Sequence, residues 1–273
     1  RPYQGLDLSA FLPAVESQVS VVDVVKSFLH AEPQLVATFD PFACPDTFDL
    51  RVELSPLSGF ERPDGGEGLA AVERALAQGG VRLVAVSAVQ FQTGLRMPLK
   101  ALSDRCHAAG ALLAVDGIQG IGASPIDVVA EGVDLLSCGA HKWLMGMEGC
   151  GFAYASERAI AQLRPRVAGW TSHEDGLAFL FEGAGHLRYD RPIRRTLDFL
   201  EVGAAPAPGL AALAASTRLI AQLGVPAIHA HVNRYNDALE SGLQARGFRS
   251  ERARHAAGRS GSLCVCPPDG VPG

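Results

Sequence analysis

Lysine is almost missing from this chain. Three copies, Lys26, Lys100 and Lys142, occur in 273 residues, and arginine supplies the rest of the 24 basic side chains. Arginine stays protonated, whereas lysine can lose its proton and attack a carbonyl. A lysine kept at one special position therefore marks a need that arginine does not meet. Long apolar runs are missing too, so no uninterrupted stretch reaches the length of a bilayer span. An excess of positive charge is absent: the formal net charge is -5 and the arginines are dispersed, which excludes nucleic acid as the expected partner. The opening residues Arg1-Pro2-Tyr3-Gln4-Gly5 show no secretory pattern. The six cysteines form neither a CxxC pair nor a zinc spacing. Several lie in or beside apolar runs, where a thiol behaves as a small hydrophobe, so the expectation is a reducing cytoplasm, no disulfide and no metal. No serine stands in a nucleophile elbow, and no strand is followed by G-x-G-x-x-G.

What is present reads as an α/β protein. Apolar strands alternate with amphipathic helices: strands near 35–39 and 50–54, a helix over 67–78, a strand over 81–87, a helix over 98–109, and strands over 111–115, 133–138 and 150–155. Helices of this length between apolar strands predict a mostly parallel sheet with helices on both faces. From 164 to 199 the text is irregular. Ala-rich helices follow over 209–223 and 226–246, and a last short strand over 262–266 is cut by Pro267-Pro268.

Asp116 and Lys142 carry the chemistry. Asp116 closes one strand, and the chain then crosses over and returns along a parallel strand that ends just before His141-Lys142. That connection places both strand ends at one edge of the sheet, where open α/β sheets bind ligands. A carboxylate and an amine meeting there suit pyridoxal phosphate. The lysine would carry the aldehyde as a Schiff base, and the carboxylate would keep the pyridine nitrogen protonated. Each residue alone has a plainer explanation, Asp116 as a turn former and Lys142 as a solvated charge, but the pair outweighs both.

The segments Ser87-Ala88-Val89-Gln90-Phe91-Gln92-Thr93-Gly94, Val115-Asp116-Gly117-Ile118-Gln119 and His141-Lys142-Trp143-Leu144-Met145-Gly146-Met147-Glu148-Gly149-Cys150-Gly151 resemble the class V aminotransferase family, which includes cysteine desulfurases, isopenicillin N epimerase-like proteins and kynureninases. The resemblance implies a fold-type I pyridoxal-phosphate enzyme and a homodimer with sites at the subunit interface. It implies Lys142 as the Schiff-base (aldimine) lysine, Asp116 as the partner of the pyridinium, Gln119 on the ring hydroxyl and His141 at the phosphate or ring. Phe91 would fill space beside the cofactor, Ser20 would lie in the N-terminal phosphate loop, and Phe42 would stack on the ring. His173 becomes a candidate substrate contact, Trp143 a packing residue.

Two positions depart from the family. Gly139 stands where a hydroxyl residue normally holds the phosphate, and Ala204 stands where a Ser or Thr reaches the neighbouring subunit's phosphate. Both ends look short against the family, so the expected organisation is a cofactor-binding large domain over 1–202, incomplete at its start, and the truncated beginning of a smaller α+β domain over 203–273. The reading is an enzyme acting on an amino acid or amine, of aminotransferase, lyase or epimerase type. Its alternative is a non-catalytic homologue serving as scaffold or regulatory partner.

Overall fold

The computed structural model describes residues 36–39, 50–53, 66–165, 168–183, 185–186 and 190–268. Ser20 and Phe42 lie outside them.

Helices form where apolar residues recur at helical spacing. α1 (Gly66–Ala77) buries Val72 and Leu76, four apart. α2 (Leu99–Ala108) starts behind Pro98 and buries Leu99, Leu102, Ser103 and Cys106, the i, i+3, i+4, i+7 stripe of a helix lying on a core. Two short strands, β1 (Val36–Phe39) and β2 (Leu50–Glu53), pair antiparallel. The central sheet consists of β3 (Leu83–Ser87), β4 (Leu112–Asp116), β5 (Leu135–Gly139) and β6 (Gly151–Ala155), in that spatial order. β3, β4 and β5 run parallel, and β6 returns antiparallel beside β5, which makes the sheet mixed.

The two faces of the sheet differ in kind. Alternation puts Val84, Leu113, Val115, Leu136 and Cys138 on one face, where all are buried in the cluster that also holds the apolar residues of α1 and α2. Fully burying a side chain such as Leu102 or Leu113 contributes about 1.5–3 kcal/mol. The opposite face carries Ala85, Ser87, Ala114, Asp116, Ser137 and Gly139, all half-buried. Small residues there leave room above the sheet.

The connection from β4 to β5 contains no helix. It is a chain of turns, with the Ile121 N–H donating to the Gly117 carbonyl at 2.8 Å and the Ser124 N–H to the Gly120 carbonyl at 2.8 Å. Asp134, 1 % exposed, pins this crossover to the sheet. Its Oδ2 accepts from the Leu113 N–H at 2.9 Å and lies 2.7 Å from His107 Nε2, while Oδ1 accepts from Ser156 Oγ at 3.0 Å. His107 is thereby fastened to a buried carboxylate. Its place in the last turn of α2 put it opposite the start of β5. Asp134→Ala should cost about 3 kcal/mol, because it strands three partners of one buried acceptor. A urea denaturation midpoint that stays at the parent value would refute this.

Beyond the sheet come the short α3 (Glu157–Ile160) and α4 (Phe179–Glu182), then α5 (Ala207–Leu223) and α6 (Val225–Gln244). Gly224, at φ 80°, takes the left-handed turn that separates the last two, which meet at 76°. Leu213 and Ile220 of α5 belong to the same core cluster as the sheet. No single helix among the described residues is long and apolar enough to cross a membrane.

The end of the described chain, with β7 (Arg249–Ser250) and β8 (Val265–Cys266), folds back onto the sheet edge. Ser260 Oγ donates to the Gly94 carbonyl at 2.6 Å, and the Arg96 N–H donates to the Gly258 carbonyl at 2.9 Å. Gly94 has φ 71°, and a Cβ there would stand 2.9 Å from the Ser262 carbonyl oxygen. The close approach requires glycine.

Candidate active site

One rung of the sheet defines the site. Ser87, Asp116 and Ser137 are in register across β3, β4 and β5, close to the carboxyl ends of these parallel strands. The Asp116 side chain bends back on its own turn, with Oδ1 accepting from the Ile118 N–H at 3.0 Å. Burial is the largest influence on this carboxyl and pushes its pKa up, while the Ile118 N–H and the Lys142 charge both pull it down. That influence places the amine and the carboxylate in one electrostatic neighbourhood, as the parallel crossover required.

Lys142 stands in the loop that follows β5 and is exposed. Its Nζ lies 5.9 Å from the centroid of the Phe91 ring, on the neighbouring rim loop. Phe91 is 76 % exposed, so it is a surface of the rim and no part of the core. Gln119 is half-buried in the turn that starts at Asp116. The structure therefore brings together Asp116, Gln119, His141, Lys142 and Phe91 at a single edge.

His141 explains one departure from the family pattern. A Cβ built on Gly139 would stand 2.9 Å from Ile118 Cδ1, 3.2 Å from His141 Cε1 and 3.3 Å from His141 Nδ1. The imidazole and the isoleucine lie over that glycine, so a hydroxyl side chain there would require both to shift. Gly139→Ser should therefore displace the His141 ring and destabilise the fold by about 1–2 kcal/mol rather than improve anion binding. A variant that is as stable as the parent and binds pyridoxal phosphate more tightly would contradict this.

Cys138 sits beside the site on the buried face. Burial pushes its thiol up to about 12, with the Asp116 charge adding to the rise and Lys142 opposing it. At neutral pH roughly one molecule in 10⁵ carries the thiolate, so this cysteine is no nucleophile. Cys106 is likewise pushed up to about 12 by burial. Alkylation of native protein at pH 7 should spare both, and mass spectrometry of the labelled chain checks it.

Other expectations change. His173 is buried, with its Nδ1 2.7 Å from the Arg191 carbonyl oxygen. It holds two loop segments together. Trp143 packs as expected, half-buried: a Cβ on Gly261 would stand 2.9 Å from its Cζ2. Cys266 is in β8 but Cys264 is not. No cluster of three or more His, Cys, Asp or Glu among the described residues could hold a metal ion. Ser87 and Ser137 escaped the sequence reading. Their signal was a hydroxyl at or near the end of an otherwise apolar strand.

The donor set tests the fit of pyridoxal phosphate. At the ring end it fits: a primary amine, a carboxylate held by a backbone N–H, and small side chains on the face between them. His141 and the turn after Asp116 adjoin these groups.

Comparison with known proteins agrees. The family model "Aminotransferase class-V" matches residues 60–271. An uncharacterized aminotransferase of Bacillus subtilis (strain 168), YcbU, is 32% identical over 192 residues, covering 64% of this chain and 49% of its own length. A kynureninase of Xanthomonas oryzae pv. oryzae is 29% identical over 196 residues, covering 68% of this chain and 43% of its own. The apo cysteine desulfurase of Thermococcus onnurineus NA1 superposes with a TM-score of 0.64 at 23% identity, over 76% of this chain and 49% of the other. The chain spans about half the length, or somewhat less, of these curated relatives. Its fold is that of the fold-type I pyridoxal-phosphate enzymes. Family members work with pyridoxal 5'-phosphate. A carboxylate and a lysine at one sheet edge, in a chain matched over most of its length, make it a member of the class V aminotransferase family.

Proposed function

We propose that this chain forms the cofactor-binding part of a pyridoxal-phosphate enzyme that acts on an amino acid or amine. The observation that carries the proposal is the convergence of Lys142 and Asp116, with the Lys142 charge acting on the Asp116 carboxyl, at the carboxyl edge of the parallel strands. When bound, the cofactor supplies an aldehyde that condenses with primary amines and a ring that draws electrons from a neighbouring bond. Asp116 would hold a proton on the ring nitrogen, and the Ile118 N–H keeps its carboxylate aimed. Lys142 would bind the aldehyde at rest and afterwards move a proton at the substrate's α-carbon. Gln119 would donate to the ring hydroxyl, and His141 would face the phosphate over Gly139. In this reading Ser20 belongs to the phosphate loop and Phe42 stacks on the ring.

Transamination, elimination and epimerisation are the reactions this set of groups can serve. Sulfur transfer from a cysteine substrate is disfavoured at Cys138, whose thiol stays protonated. The same proposal places a large domain over 1–202 and the beginning of a small one from 203, close to where the chain enters α5. It makes the protein a homodimer of the cytoplasm. Five free cysteines among the described residues support the reducing compartment.

Titration with pyridoxal phosphate tests the proposal. The purified chain should turn yellow, and borohydride should fix the cofactor on the peptide containing Lys142. A chain that stays colourless with excess cofactor would leave the scaffold or regulatory alternative standing.

A further inference from the structure

The last ladder of the described chain gathers four functional side chains on one face, none of them from the Asp116–Lys142 edge. β7 and β8 pair antiparallel, with Arg249 opposite Cys266 and Ser250 opposite Val265. The Glu251 N–H donates to the Cys264 carbonyl at 3.0 Å, which carries the pairing one residue further. Alternate residues of a strand point to the same side. Arg249 and Glu251 on one segment therefore stand across from Cys266 and Cys264 on the other, as cross-strand neighbours.

Contacts within this group give its two thiols different roles. The Cys266 thiol donates to Glu251 Oε1 at 3.6 Å, so an acceptor for its proton is in place. Arg249 Nε donates to the same oxygen at 3.0 Å. Hydrogen bonds to Glu251 first and to Cys266 second raise the Arg249 pKa above its ordinary value. A guanidinium within reach of the sulfur offsets the negative charge that a thiolate brings. Cys264 is held differently: burial pushes its thiol up, and the Cys266 and Glu251 charges add to the rise. Both cysteines are half-buried, whereas Cys106, Cys138 and Cys150 are buried. A reactant arriving from solvent therefore meets this pair before the other three.

We infer that this face is a thiol–disulfide exchange site for a small-molecule disulfide such as oxidised glutathione, with Cys266 as the attacking thiol and Cys264 as the resolving one. Glu251 takes the Cys266 proton, and the thiolate attacks one sulfur of the small disulfide. A mixed disulfide forms on Cys266, and one small thiolate leaves and takes up that proton. The Cys264 sulfur then attacks the Cys266 sulfur, joins the two residues and releases the second small thiol, which carries away the Cys264 proton. Proximity makes up for the reluctance of Cys264 to ionise. The protein gives up two electrons and two hydrogens, and the small disulfide is reduced to two thiols. Residues two apart on a strand have Cα atoms about 6.7 Å apart. That is close to the outer limit of about 6.8 Å that a disulfide spans. The closed bond is therefore strained and readily reduced, the property of a reversible bridge rather than a structural one.

The test is to incubate the purified 273-residue chain with excess oxidised glutathione at neutral pH, then alkylate it, digest it with trypsin and weigh the fragments. Cleavage after Arg259 isolates residues 260–273, whose cysteines are Cys264 and Cys266. This fragment should change from doubly alkylated to unalkylated and two hydrogens lighter, and dithiothreitol should reverse the change. Cys264→Ser should instead accumulate glutathione on Cys266. Cys266→Ser should leave Cys264 reacting at least about tenfold more slowly than Cys266 does in the parent. Arg249→Ala removes a side chain that is 75 % exposed, so the chain should still fold while the exchange slows about threefold or more. Should a serine variant fail to fold, the parent's own fragment still decides. A parent fragment that stays doubly alkylated, or that stops at the mixed disulfide, would overturn the inference. So would a folded Cys264→Ser variant that takes up no glutathione, or an Arg249→Ala rate equal to the parent's.

Discussion

Replacing Lys142 with alanine should abolish borohydride fixation of pyridoxal phosphate and lower turnover of any amino acid substrate by roughly 10³–10⁶-fold, the scale of losing a covalent catalytic group. The fold should not notice. Lys142 is exposed, and substitutions at such positions usually stay within about 0.5 kcal/mol. Lys142→Arg separates charge from chemistry. It preserves the positive field at Asp116, but a guanidinium does not lose its proton to attack an aldehyde. The arginine variant should therefore be as inactive as the alanine variant. Turnover within tenfold of the parent in either variant would remove Lys142 from the reaction and the proposed function with it.

Asp116→Asn should separate stability from activity. Burial raises the Asp116 pKa above its ordinary value of 3.8, which means the native state binds this proton more tightly than the unfolded chain does. The sign follows from linkage. Stability attached to the protonated group is complete below 3.8 and is lost as pH rises through the folded-state pKa. At neutral pH the ionised carboxylate is thus a cost to the fold, only partly offset by the Ile118 N–H and Lys142. Asparagine keeps an oxygen for that N–H and removes the charge. Its melting temperature at pH 7 should equal or exceed the parent's, with the difference closing as pH falls toward 3.8. Activity should nonetheless fall by about 10²–10³-fold, since an amide does not hold a proton on the ring nitrogen. A less stable variant that remains active would invert both halves of the argument. A native protein that tolerates a costly carboxylate does so where function needs it.

Much of the architecture was legible from pattern. The stripe Leu99, Leu102, Cys106 announced α2, and the apolar strands ending at Ser87 and Asp116 announced β3 and β4. The Asp116–Lys142 pair was legible because a parallel crossover leaves no other place for two successive strand ends. What escaped was set by contacts between distant segments. No helical pattern links His107 to Asp134, 27 positions later, which folds beneath it. His173 looked available, yet the chain returns through Arg191 to take its ring. At Gly139, where the family resemblance leads one to expect a hydroxyl, the Ile118 and His141 side chains lie close over the glycine, a contact no local pattern shows.

By its order of residues alone the chain determined an α/β sheet, the strand ends that meet, and the rare lysine placed there, because periodicity and crossover geometry are local consequences of covalent sequence. Only the folded arrangement decided which polar groups are satisfied. It made Asp134 a bolt, left Cys138 an inert thiol, and left Ser124 Oγ and one of the two Glu131 carboxylate oxygens without a hydrogen-bond partner. Hydration and hydrogen bonding depend on neighbours brought together from across the chain, and no local pattern encodes them.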